Sequence, residues 1–366
     1  MKAISPLRRV LGAVAESRLF LPTLALILIL AYDFFAVPGF FDIRLNQGHL
    51  YGSLVDILRN SVPTVILAMG MTLVIATGGV DLSVGAVMAI AASVACIMMN
   101  PSIIGLQLSG NIGELINDPS YSWAPMWAVI LVPLVIATLC GLWNGVLISY
   151  GRMQPLAATL IFMIAGRGIA QLITNAIKII IFNDDFAYIG NGWILLPVSV
   201  YLAIGVFAIA WLVTRRTAIG LFVESVGINF RSSFYSGINE RRVKLFAYAF
   251  CGLCAGVAGL IAVSSIRTSD ANQIGLYTEL DAILAVVIGG TVLGAGGRFS
   301  LMGSVIGGVI LQATTTSMYA QGVPASAITA VKAGVVIVVI LLYSQQASNL
   351  IHAIGGRRAL AEEVGR

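Results

Sequence analysis

Ten apolar runs follow one another along this chain, each about the length of a bilayer-spanning helix, and that succession leaves few architectures open. They read 19–37, 61–79, 82–99, 123–149, 155–174, 194–213, 245–266, 281–296, 301–319 and 326–344. Crossing the hydrocarbon of a bilayer takes roughly 20 predominantly apolar residues per helix. The rest of the chain cannot support a water-soluble alternative: 10% of its residues are charged, where a soluble domain carries about 25%. The expectation is an all-α, polytopic membrane protein with about ten transmembrane helices. Runs 82–99 and 281–296 start beside or at an aspartate and contain glycines, so either can be a half-helix or a re-entrant piece.

Charge then orients the chain. With the N-terminus inside, fifteen of the 21 Lys and Arg residues fall on the inner side and four, Arg44, Arg59, Lys178 and Arg267, on the outer side. Such a bias is what insertion electrostatics produces. It gives a cytoplasmic N-terminal tail (1–18), a transmembrane body (19–344) and a cytoplasmic C-terminal tail (345–366). The net charge of +5 thereby reads as topology, not as a nucleic-acid signal. The first run is too long for a signal-peptide core and has no small-x-small cleavage site after it, so it is expected to stay as the first span. Between two apolar runs, residues 214–244 hold Arg215, Arg216, Arg231, Arg241, Arg242 and Lys244. A basic loop of that size is where a membrane body would dock a soluble cytoplasmic partner. Within it, an apolar face (Leu221, Phe222, Val226) before Gly227 suggests a short surface helix, capped by glycine, that enters a partner's groove.

Several chemistries are missing. No GxxxxGK[ST] phosphate loop, HExxH or GxSxG motif occurs, which excludes a built-in P-loop ATPase and disfavours an intramembrane hydrolase. Cys251 and Cys254 have CxxC spacing, but no second pair or histidine cluster completes a zinc site, and they read as packing residues.

Three polar constellations interrupt the apolar runs. Gly78-Gly79-Val80-Asp81-Leu82-Ser83 breaks one; Asp81 reads either as a helix cap in a tight turn or as part of a break beside a permeation path. The second, RTSDANQIGLYTELD (267–281), is expected on the outer side. There Asn272 and its neighbours Asp270 and Gln273 carry groups that bind sugar hydroxyls, and Glu279 and Asp281 open the next helix. The third is a set of polar residues inside spans: Asn144, Gln154, Arg167, Gln171, Gln312 and Lys332. Such residues usually face protein or water. Arg167 reads equally as a pathway residue and as a structural donor to nearby carbonyls.

The motifs GGVDLSVGAV, GLWNGVLI, GLFVESVGIN…SGI and ELDAILAVVIGG followed by GAGGRF resemble, in order, permease subunits of the ribose/galactoside class of ABC sugar importers. DILRNSVP and MTLVIATGGVDLSVGAVMAIA look most like the galactofuranose-type permeases. The resemblance implies a ribose-permease-type fold and a monosaccharide carried across the bacterial inner membrane by alternating access. It also implies two permease chains, identical or related, a cytoplasmic ATPase with two nucleotide-binding halves and a periplasmic sugar-binding protein. ATP and Mg would sit on the ATPase, with no cofactor on this chain and no catalysis by it. Glu224, Gly227, Asn229, Arg231 and Gly237 fall in the family's ATPase-coupling segment. Asp81, Asn144, Gln154, Arg167, Gln171, Asn272, Glu279, Asp281 and Gln312 are the expected substrate pathway. Residues 100–122 read as an outer insertion, and Pro155-Leu156 replaces the usual Pro-Phe. An ion-coupled secondary transporter is the alternative that broken helices near Asp81 and Asp281 would also fit, as is a permease for fructose or a pentose.

Overall fold

The computed structural model describes residues 19–46, 48–99, 124–293 and 296–343. Both expected tails and the insertion at 100–122 lie outside the described residues. In chain order the elements are α1 (Phe20–Ala36), β1 (Arg44–Asn46), β2 (His49–Tyr51), α2 (Ser53–Ala76), α3 (Val84–Met99), α4 (Met126–Ser149) and α5 (Pro155–Thr174). There follow β3 (Ile179–Ile180), α6 (Asp184–Asn191), α7 (Val198–Arg216), α8 (Ala218–Ile228), α9 (Phe230–Tyr235) and α10 (Glu240–Ile266). The last are β4 (Thr268–Ser269), α11 (Thr278–Ile288), α12 (Leu301–Ala320) and α13 (Ala325–Tyr343). Every one of the ten apolar runs contains a helix. Six of the described helices, α2, α4, α5, α7, α10 and α12, are long and apolar enough to cross a membrane. With 11 residues, α11 is only about 16 Å long and cannot span. It is the half-helix that glycine and aspartate signalled.

Residues up to Thr314 form one compact unit and those from Thr315 a second. In the second, Gly322 adopts φ +76°. Its amide bonds back to the Tyr319 carbonyl, and that of Val323 to Met318, which closes α12 before Pro324 leads into α13.

The first unit is built around α10, which packs on α4, α2 and α3. Close approach of backbones is what small residues contribute inside a membrane, and here they set the crossing: a side chain at Gly141 or Gly252 would collide with the facing helix. Cys251 and Cys254 belong to the same seam, with Cys254 against Gly70, and both are free thiols that fill space. At the far end of the bundle from α8, a second core gathers Cys96, Val129, Phe186, Leu260 and Val263.

One boundary differs from expectation. The second run begins at 61 by hydropathy, yet α2 starts at Ser53. Its first turns carry Asp56, Arg59 and Asn60, which lower the local hydropathy. Arg59 is held there by Asn191, which in turn donates to the Ser264 and Ser265 carbonyls at 3.0 Å. The far end of the bundle is further tied by two antiparallel pairs, β1 with β2 and β3 with β4.

Candidate functional site

The basic segment 214–244 folds into two short helices. Thr217 caps α8 through its hydroxyl, which accepts from the Ile219 amide at 3.2 Å. Val223 and Val226 are buried, whereas Leu221, Phe222 and Ile228 are exposed. The apolar residues are therefore split between two faces. The helix is anchored on the bundle by its valines and presents a separate greasy edge outward. Gly227 does not cap the helix. It lies inside α8, and a side chain there would overlap the Ala76 carbonyl and the Gly297 amide. Gly297 donates its amide to the Ala76 carbonyl at 2.8 Å. Three backbones thus meet at one point: the surface helix, the end of α2 and the link between α11 and α12. The joint between α8 and α9 is Asn229, whose side-chain oxygen accepts from the Ser232 amide at 3.0 Å. Gly237, at φ +83°, ends α9.

From Ala76 the chain turns through Thr77–Ser83 into α3, and this turn is buried and polar. Asp81 is 1% exposed. Its Oδ1 accepts from the Ser83 amide at 2.9 Å and from the Ser83 hydroxyl at 2.6 Å. Asn144 of α4 donates to the same hydroxyl at 2.7 Å, and Tyr248 of α10 donates its hydroxyl to the Val80 carbonyl at 3.2 Å. A buried carboxyl group is tolerated only when such partners replace water. They clamp the turn to two other helices.

A third feature follows from the segment that joins α10 to α11. It starts at the far end, where Ser269 pairs with Ile179 and sits beside Cys96 of α3. It then runs down along α3 until Gly275 packs on Gly85, where a side chain on either would collide with the other's backbone. Eleven helical residues separate Cys96 from Gly85, a descent of about 16 Å. The segment expected on the outer side is thus re-entrant. Its depth exposes peptide carbonyls that need donors, and Arg167 of α5 supplies them. Nη1 donates to the Ala271 and Ile274 carbonyls at 3.0 and 2.5 Å, and Nη2 to Gly275 at 3.2 Å. One turn further on, Gln171 donates to Asn272 Oδ1 at 2.6 Å. Glu279, 7% exposed in the first turn of α11, interacts electrostatically with Arg167, and its Oε2 has no hydrogen-bond partner among the described residues.

A family model described as branched-chain amino acid transport system / permease component matches residues 53–343. The chain belongs to this permease family. It is 44% identical to the galactofuranose transporter permease of Escherichia coli K12, over 91% of this chain and 92% of that one. It is 36% identical to a fructose import permease of Bifidobacterium longum, over 92% and 88% of the two chains. Identity to the ribose import permease of Escherichia coli K12 is 32%, over 87% and 91%. No solved structure matches.

In this permease the expected pathway residues divide into groups. Asp81 and Asn144 come together in the buried turn, while Arg167, Gln171, Asn272, Glu279 and Asp281 gather around the re-entrant segment. Gln154 is exposed at the start of α5, about 20 Å along the helix from Arg167. Gln312 stands half-buried on α12. In the coupling segment, Glu224 is half-buried and Arg231 exposed, its guanidinium 5.8 Å from the Phe230 ring centre. Ser83, Tyr248, Gly85, Gly275 and Gly297 are the residues that residue type alone did not single out as functional. Their importance is a matter of which backbone they touch. Gly85 joins the two polar regions, because the turn that carries Asp81 runs directly into the helix end on which Gly275 rests.

Proposed function

We propose that this chain is the transmembrane subunit of an ATP-driven importer that carries a neutral monosaccharide, of the galactofuranose kind, across the bacterial inner membrane by alternating access. Three relatives named for three sugars, each matched over most of both chains, support a sugar as the cargo. The observation that carries the mechanism is the contact of Gly227 with Ala76 and Gly297. A cytoplasmic ATPase with two nucleotide-binding halves pushes on α8 and α9 through the exposed edge of Leu221, Ile228 and Phe234. Glu224, Asn229, Arg231 and Gly237 shape that docking segment, and ATP and Mg stay on the ATPase. The push moves the end of α2 and the α11–α12 link together, because no side chain at Gly227 separates them. The Asp81 turn passes the shift to α3, and through Gly85 to the segment pinned by Arg167. A second permease chain, related or identical, completes the pathway. A periplasmic binding protein delivers the sugar to the face that carries α6 and the β-pairs, with both termini of this chain in the cytoplasm.

In this mechanism the pathway needs few charges, because the binding protein supplies affinity. Arg167, Gln171, Asn272, Asp281, Gln154 and Gln312 serve the path. Asp81, Asn144 and Glu279, buried in this conformation, hold its moving parts. The test is reconstitution of the permease with its ATPase and binding protein in proteoliposomes. Uptake that requires ATP hydrolysis is expected. Uptake driven by a proton or sodium gradient with no ATPase present would replace this reading with an ion-coupled carrier.

A further inference from the structure

Tyr277 sits where an aromatic residue is unexpected. It precedes α11 with φ +63°, in the left-handed region, and caps nothing with its side chain. For a bulky residue this conformation costs about 1–2 kcal/mol, and such outliers cluster where the strain has a use. Packing does not offset the cost, since the side chain is 59% exposed. Gly275, two residues earlier, also has positive φ, so the chain enters α11 through two left-handed steps and leaves Tyr277 exposed.

The surroundings are as specific as the ring. Asn272 and Gln273 are exposed on the same segment, and Gln171 reaches it from α5. The segment cannot drift, because Arg167 grips three of its carbonyls and Gly275 is wedged against Gly85. Rigid aromatic area with a few fixed amide groups is the composition of a small-molecule subsite. Each amide donates and accepts, and the phenol does both. These groups match hydroxyls and demand no charge. Asp270, the carboxylate of this segment, is half-buried with its Oδ1 accepting from the Asn272 amide at 2.9 Å, and Glu279 of α11 is buried.

We propose that Tyr277 is the platform of a sugar subsite, with its ring under the apolar face of a neutral monosaccharide and the amides of Asn272, Gln273 and Gln171 on the hydroxyls. The inference rests on the importer reading and assigns that reading's solute contact to a specific side chain. The sugar reaches the mouth of the half-helix, stacks on Tyr277 while the path is open to the delivery side, and leaves when the segment moves with α3.

The experiment uses the complete reconstituted transporter and radiolabelled galactose, fructose and ribose. Tyr277→Gly removes the ring and suits the positive φ, so it relieves backbone strain; Tyr277→Phe keeps the ring. The expected result is ATP-driven uptake lowered about tenfold in Tyr277→Gly and largely kept in Tyr277→Phe. ATPase activity and recovery of the assembled complex should be unchanged in both. Wild-type rates and sugar preference in Tyr277→Gly would overturn the inference alone. Loss of the second permease chain on purification of that variant would also overturn it, by making Tyr277 an assembly contact. Absence of ATP-driven uptake of all three sugars by the wild type overturns the monosaccharide reading and this inference with it.

Discussion

The backbone junction at Gly227 and the clamp at Arg167 are built on opposite principles. At Gly227, Ala76 and Gly297 three main chains touch directly, and what matters is the absence of side chains. Around Arg167 the main chain is kept in place by a side chain that reaches across from another helix and takes three carbonyls at once. A junction of bare backbones transmits displacement because nothing in it can yield by changing rotamer. A side-chain clamp holds a shape while leaving neighbouring amides open to a solute. In the proposed mechanism the first region transfers force and the second meets the solute, and the turn from Thr77 to Gly85 lies between them.

The largest effect that tests this contrast comes from Gly227→Val. A β-branched side chain there must displace the end of α2 or the Gly297 link. Overpacking of this kind costs about 1–3 kcal/mol, and it falls on the contact that carries the stroke in the proposed mechanism. Uptake should drop at least tenfold, or about 1.4 kcal/mol of coupling, while the ATPase still hydrolyses ATP and the protein still inserts. Parallel uptake and phosphate-release assays read the ratio. Full uptake in this variant would mean that α8 drives the bundle by another route.

Next comes the clamp. Arg167→Met leaves three carbonyls at membrane depth without their donor and Glu279 without its cation. Hydrogen bonds to a charged group are worth about 1.5–3 kcal/mol each, so a clear fall in the melting temperature in detergent is expected. Arg167→Lys should rescue little, because a single ammonium cannot reproduce the planar fork that spans Ala271, Ile274 and Gly275. A fully stable lysine variant would show that charge, not geometry, holds the segment.

Sequence alone carried the helices and the coupling segment a long way, and the reasons are physical. Apolar runs are forced by the bilayer, so every run contains a helix, and the short α11 was flagged by Asp281 and by the glycines that follow it in its run. The start of α2 was hidden because Arg59 donates its hydrogen bond to Asn191, a partner 132 positions away. Gly227 was legible as important, but as a cap; only the fold shows that Ala76 and Gly297 crowd it. Arg167 left two readings open, pathway residue and structural donor, and sequence could not show the three carbonyls of the re-entrant segment to which its guanidinium donates. Tyr277 gave no signal, because a left-handed φ at a non-glycine residue is decided by tertiary constraints and not by local propensity.

Between the two regions, Ser83→Ala should have a moderate effect. The Ser83 hydroxyl donates to Asp81 and accepts from Asn144, so its removal leaves two buried groups short of a partner. The expected destabilisation is about 2 kcal/mol, seen as a lower unfolding midpoint. Uptake should fall less than in Gly227→Val, because the Ser83 amide still bonds to Asp81 and the turn keeps its path. An Asn144→Leu, Ser83→Ala pair that is no worse than Ser83→Ala alone would show the two residues acting as one unit.

The smallest effect is expected at the far end of the bundle, where Arg267 and Asp184 pair at 2.8 Å with both side chains largely in solvent. Exposed ion pairs contribute about 0–1 kcal/mol, and the first-turn position of Asp184 adds a modest dipole contribution of about 0.3–1 kcal/mol at most. Asp184→Asn should therefore leave stability within about 1 kcal/mol and ATPase activity unchanged. Its use is as a boundary on the comparison. In the proposed importer a binding protein releases its sugar against this face, so a fall in uptake that vanishes at saturating binding protein would place Asp184 in docking. A fall that persists at saturation would carry the solute path up to α6, and the division of labour would then need a third region beside the junction and the clamp.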